Sequence, residues 1–335
     1  VPIAESAAPI FVTVSRRDVS HRGPPDTLLA GLDGFLPVKD AGLGHVGQDD
    51  PLRPATVPLG GREGRQRRTG AEMATRVAMG NNKGGVGKTT VTVRVAEALA
   101  VLGKRVLVMD LDPQGNSSGR LGVVGDLGAR TVSEAIKENR RGAVADSIWP
   151  CGWDAEYASR ISVCPSTLDL EDRMSEAGVI GAYRRLAIAL DGADDGYDFT
   201  LFDCPPSLFH LTQLALAAGP NAVAVTEPEY YSIEGALRFR AFVEAQGTNL
   251  SNPELHLIGV IVAGYDVRKP AHVGQLETLP ETFGPLLWEP VIPVRTAIQD
   301  ADESQLPLVA QKSEGGREAR AWFGQLAERL IKATS

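Results

Sequence analysis

From residue 73 onward, short continuous apolar runs alternate with longer stretches in which apolar residues recur every three or four positions. The runs at 76–79, 105–109, 160–164, 199–202, 221–225 and 257–263, with a shorter one at 290–292, read as strands buried on both faces. Helices lie between them. The first is expected over 91–102, and over 316–333 Trp322, Phe323, Leu326 and Leu330 fall at helical spacing, as for packing on a core. This rhythm predicts an α/β fold: a mostly parallel sheet with helices on both faces and ligand loops at the carboxyl ends of the strands.

Residues 1–72 have a different character. Ten glycines and eight prolines make up a quarter of that segment, and no helical or strand period persists, so little of it can be buried. We expect a disordered extension, with a basic cluster of Arg62, Arg65, Arg67 and Arg68 near its end, followed by a single domain over 73–335. Met73 stands just before the first strand, which raises the expectation that residues 1–72 lie upstream of the true start.

Composition narrows the class without deciding it. A hydrophobic content of 43% and an aromatic content of 6% fit a soluble α/β protein, and a formal charge of −8 argues against wholesale coating of nucleic acid. Cys151, Cys164 and Cys204 are too few and too unevenly spaced for a disulfide framework or a CxxC metal site, so reduced core thiols are expected. No run approaches the roughly 18 apolar residues of a membrane span, and no signal-peptide pattern is visible, so a cytoplasmic location is expected.

The chemistry concentrates in Lys83-Gly84-Gly85-Val86-Gly87-Lys88-Thr89-Thr90. The general phosphate-loop pattern G-x-x-x-x-G-K-[ST] asks for glycine at position 82, where this chain has Asn82, so the motif is a variant of Walker A. Its glycines still let successive backbone N–H groups turn toward a phosphate. Lys88 can reach the β and γ oxygens, and the Thr89 hydroxyl can ligate Mg²⁺. Lys83 is an addition that the ordinary motif lacks. With a strand before it and a helix after it, the loop predicts a P-loop NTPase.

Two acidic strand ends follow. Asp110-Leu111-Asp112-Pro113-Gln114-Gly115-Asn116 closes the second strand, and in an extended segment Asp110 and Asp112 would point to one side, toward the phosphate pocket. One could order a Mg²⁺ shell and the other orient an attacking water. Asp203, after the apolar run 199–202 and before Pro205-Pro206, has the Walker B arrangement and can hold a Mg²⁺-bound water.

Taken in order, these motifs resemble the ParA/Soj partition ATPases within the MinD-related group with a deviant Walker A motif. The resemblance runs from about Met73 to the C-terminus and is tightest in 81–90, 106–116, 202–207 and 227–235. It implies an ATP-dependent sandwich homodimer in which Lys83 crosses to the partner's nucleotide. By the same resemblance Lys88 and Thr89 bind phosphates and Mg²⁺, Asp112 positions the hydrolytic water, and Asp110 and Asp203 support the metal. It also implies non-specific DNA binding, a ParB-type centromere-binding partner that stimulates hydrolysis, and a nucleoid-associated protein. Arg238, Arg240, Arg268, Lys269 and Arg295 are the candidate DNA contacts. The chain departs from the family at Val225, where many relatives carry proline, and after Ile292-Pro293, where the expected basic residue is displaced to Arg295.

Three rival readings remain. A MinD-like membrane cycler would use 316–333 as a membrane anchor, but core packing explains its apolar spacing and no stable membrane association is expected. An iron–sulfur reductase of the same superfamily would bridge a cluster through Cys164 and Cys204, which lack glycine-rich ligand loops here. The third is a DNA-binding regulator that binds ATP with little turnover.

Overall fold

The computed structural model describes residues 73–335. The extension over 1–72, its arginine cluster and the expectation of a start at Met73 fall on or depend on positions outside the described residues. Within them the chain builds an eight-stranded sheet. The expected runs become β1 (Thr75–Gly80), β2 (Val106–Asp110), β4 (Ile161–Cys164), β5 (Phe199–Asp203), β6 (Asn221–Thr226), β7 (His256–Tyr265) and β8 (Ile292–Pro293). The sequence did not signal β3 (Trp149–Pro150), a two-residue edge strand and the sole antiparallel neighbour in the order β3-β4-β2-β5-β1-β6-β7-β8.

Alternation along the central strands feeds two cores. Val77 and Met79 of β1, Val106 and Val108 of β2 and Val223 and Val225 of β6 face one side, whereas Ala78, Leu107, Met109, Ala222 and Ala224 face the other. The first side is covered by α1 (Lys88–Val101) and α9 (Glu314–Ala333). The opposite side is covered by α5 (His210–Ala218), α6 (Tyr230–Gln246) and α7 (Pro270–Phe283), with the short α3 (Val132–Glu138) and α4 (Arg185–Leu190). Apolar side chains on both faces explain why the strands read as continuous apolar runs.

One helix differs informatively from expectation and another matches it. α1 begins at Lys88 rather than Val91, because Gly87 at φ 81° turns the chain directly into the helix and the motif residues Lys88, Thr89 and Thr90 form its first turn. α1 is also enclosed nearly all round, so that Arg94 and Glu97 in its middle are buried. α9 buries Phe323, Leu326, Ala327 and Leu330 against this core, as its spacing predicts, while Trp322 stays half-buried. Ser313 caps α9 by accepting a hydrogen bond from the Gly316 N–H at 3.2 Å. Among the described residues, no helix is long and apolar enough to cross a membrane.

All three cysteines are free. Cys164 and Cys204 lie fully in the core, where burial pushes their thiols well above the ordinary range, and Cys151 is half-buried.

Candidate nucleotide-binding site

Sheet register sets the site. Met79 of β1 and Asp110 of β2 both pair with Asp203 of β5, so the phosphate loop leaves the sheet beside two adjacent aspartates at the carboxyl edge. Gly85 at φ 80° and Gly87 at φ 81° hold the loop in left-handed backbone that side-chain-bearing residues rarely adopt. Val86 between them is buried, and Gly84 lies against Pro206, so the Pro205-Pro206 turn after β5 braces the loop.

Lys88 is buried, and its ammonium donates to the Lys83 carbonyl at 3.2 Å. Burial lowers its pKa, and Asp203, Cys204 and Asp112 oppose that shift without overcoming it. Lys83, five residues earlier, is exposed, and among the described residues its ammonium makes no hydrogen bond or ion pair. One lysine is buried, and the other is exposed, its charge felt by Glu227.

Asn81 fixes the start of the loop. Its amide donates to Val225 O at 2.7 Å and Ser232 O at 3.1 Å, tying the end of β1 to β6 and α6. The Asn82 N–H reaches Gly235 O of α6 at 3.4 Å.

The acidic residues divide differently from the expectation of two carboxylates on one extended strand end. β2 stops at Asp110, and Asp112 lies in the turn that follows, because Gly115 N–H bonds back to Asp112 O at 2.9 Å and closes the chain on itself. Asp110 is fully enclosed and accepts from the Ser118 N–H at 2.9 Å, the Ser118 hydroxyl at 2.7 Å and the Asp112 N–H at 3.2 Å. Burial and the charge of Asp203 push its carboxyl up to about 7 against those hydrogen bonds. Asp203 is equally buried and also raised by burial. Hydrogen bonds from Ser117 and Thr89 and the Lys88 charge oppose that shift. Asp112 is half-buried and borders an open cavity of about 310 Å³ with Pro113, Pro206 and Phe209.

Thr89 hydrogen-bonds Asp203, whereas Thr90, expected beside the nucleotide with the rest of the loop, turns to other side chains. The Thr90 hydroxyl donates to Asp302 at 2.6 Å and accepts from Arg120 at 2.7 Å. Neither partner was signalled by the sequence, nor were Ser117 and Ser118, whose hydroxyls hold the two buried aspartates.

The basic candidates do not form one free patch. Arg238 and Arg240 on α6 pair with Glu234 and Glu244 at 2.6 and 2.7 Å. Arg268 pairs with Asp266 at 2.8 Å and Lys269 with Glu229 at 3.4 Å in the turn before α7. Arg295 pairs with Glu318 at 3.2 Å and lies over the Trp322 ring at 5.1 Å. Arg268 and Arg295 share the wall of a cavity of about 710 Å³ with Tyr265, Pro293 and Trp322, at the ends of β7 and β8. Surface pairs of this kind contribute little to stability.

A family profile described as an AAA domain matches residues 74–257. The chromosome-partitioning ATPase Soj of Thermus thermophilus is 38% identical over 256 residues, spanning 76% of this chain and 95% of that protein. Among solved structures, apo McdA of Cyanthece superposes with a TM-score of 0.67 at 20% identity, covering 77% of this chain and 99% of that one. Cobyrinic acid a,c-diamide synthase of Mycobacterium smegmatis, with bound ADP and magnesium, superposes at 0.62 with 26% identity over 77% of this chain and 96% of that one.

Proposed function

Because the chain belongs to the ParA/Soj family of P-loop ATPases, we propose that it is a slow Mg²⁺-dependent ATPase that dimerises on ATP and binds DNA without regard to sequence. A ParB-type partner switches it off in the partitioning of a plasmid or chromosome. Residues 73–335 form the ATPase domain in this reading, and 1–72 are an extension to it. The observation that carries the reading is the contrast between the two lysines of one loop: Lys88 buried near Asp203 and Asp112, Lys83 exposed with no hydrogen bond or ion pair among the described residues.

In this reading the loop N–H groups of 84–89 and the Lys88 ammonium take the phosphates of the protomer's own ATP. The donors present fit Mg²⁺, since the Thr89 hydroxyl and the Asp203 carboxylate are hard oxygen groups hydrogen-bonded to one another. Thr89 and Asp203 would hold the ion, with Asp110 behind them, and it would neutralise charge on the terminal phosphates. Asp112, with its open cavity, orients the attacking water and accepts its proton. Lys83 reaches the partner's nucleotide and offsets charge that develops during transfer. A sandwich of two protomers also joins two halves of a basic surface, so hydrolysis would dissolve DNA binding.

The burial of the apolar face of α9 in the core favours this over a membrane cycle, since those residues are already covered. The test is size-exclusion with light scattering on the Asp112→Ala variant in MgATP and in MgADP. A dimer in ATP and a monomer in ADP support the reading, whereas a monomer in both contradicts it.

A further inference from the structure

α2 (Asn116–Arg120) directly follows the Asp112 turn and is fastened at both ends. At its near end the Ser117 hydroxyl donates to Asp203 and Ser118 donates to Asp110, which tie it to β5 and β2. At its far end Arg120 donates to the Thr90 hydroxyl at 2.7 Å and pairs with Asp302 at 2.9 Å. Asp302 belongs to α8 (Thr296–Glu303), which follows β8.

The three side chains close a ring. Thr90 donates to the same Asp302 oxygen that Arg120 engages, and the other Asp302 oxygen takes the Arg94 guanidinium at 2.7 Å. Arg94 is fully buried and also binds Glu97 at 2.9 Å, so two guanidinium groups and two carboxylates balance in a largely water-excluded setting. A buried network satisfied in this way is rigid, and losing one member takes a bond from each of its neighbours.

We propose that Thr90, Arg120 and Asp302 are positioning residues that clasp the Asp112 turn to the phosphate-loop helix, and that the Thr90 hydroxyl serves this clasp instead of the nucleotide. The consequence for turnover rests on the ATPase reading above. With the clasp intact, α2 is held at two points and Asp112 keeps a fixed setting relative to Lys88 and Thr89. With it open, α2 pivots about its serine end, and Asp112, on the other side of that pivot, moves off line.

The test uses the full chain with Thr90→Val, Thr90→Ser, Arg120→Met and the Thr90→Val/Arg120→Met double variant. Two readouts are taken: amide hydrogen exchange over 112–120 without nucleotide, and MgATP affinity with turnover. Thr90→Val and Arg120→Met should each speed exchange by about tenfold. Each should lower turnover on the order of 10- to 100-fold with MgATP affinity within about twofold. The double variant should be no worse than the poorer single, and Thr90→Ser should behave as wild type. Unchanged exchange over 112–120 in Thr90→Val, or weakened MgATP affinity in that variant, would overturn the clasp, as would additive losses in the double variant. Wild-type protein that fails to turn over ATP would sink the ATPase reading instead, and the exchange measurement would still decide the clasp.

Discussion

Asn81 and Gly235 meet so closely that a Cβ on Gly235 would stand 2.3 Å from the Asn81 carboxamide oxygen and 3.0 Å from the Lys83 Cβ. Asn81 cannot swing away without giving up its bonds to Val225 and Ser232. Gly235→Ala should therefore shift the start of the phosphate loop and Lys83 with it, costing about 1–3 kcal/mol of stability as overpacking does and lowering turnover on the order of tenfold or more. Gly274→Ala, in α7 with open space at its Cβ, should be neutral or stabilising and leave turnover intact. Thermal melting alongside an ATPase assay of both variants checks this.

In the proposed reading, Lys88 is a buried charge that meets the nucleotide phosphates. Lys88→Met should remove MgATP binding while leaving the nucleotide-free protein at least as stable as wild type, because a buried ammonium is replaced by an apolar chain of similar length. Melting curves with and without MgATP decide it: the wild type should shift upward with ligand and the variant should not.

Much of this site was legible in the sequence because its parts are local. Strands enclosed on both faces write continuous apolar runs, and the phosphate loop and the residues Asp110, Asp112 and Asp203 follow them directly. The first turn of α1 was hidden by its polar residues, and β3 by its two-residue length. The partners of Thr90 lie 30 and 212 positions away, at Arg120 and Asp302, and no periodicity connects them. The folding back of Asp112 was equally hidden, since its backbone bond to Gly115 depends on a turn that an extended reading excludes.

His210 opens α5 almost wholly buried, and among the described residues its Nε2 has no hydrogen-bond partner. Burial holds its imidazole below the ordinary range, with Glu176 opposing and Arg185 adding to the effect. The unfolded chain takes up a proton near pH 6.5 that the folded chain refuses, so this group stabilises the fold above that pH and the contribution is lost as pH falls. The melting temperature of wild type should drop more steeply between about pH 7 and pH 5 than that of His210→Leu. Parallel curves would show that the ring is not held neutral.

Binding to duplex DNA in MgATP should fall linearly in log–log form with salt and vary little with sequence. If Arg268 and Arg295 each touch a phosphate, Arg268→Ala and Arg295→Ala should each reduce the salt slope by about 0.9. Fluorescence anisotropy across a salt series reads both quantities. An unchanged slope in either variant would remove that residue from the DNA surface.

The central claim, that Lys83 acts on the other protomer's nucleotide, is tested most directly by mixing two inactive variants. Lys83→Ala keeps its own Asp112, and Asp112→Ala can lend its Lys83. An equimolar mixture should therefore regain about a quarter of wild-type turnover, from the one competent site in the half of the dimers that are mixed. If the mixture stays as inactive as its components, Lys83 serves its own protomer and the account is contradicted.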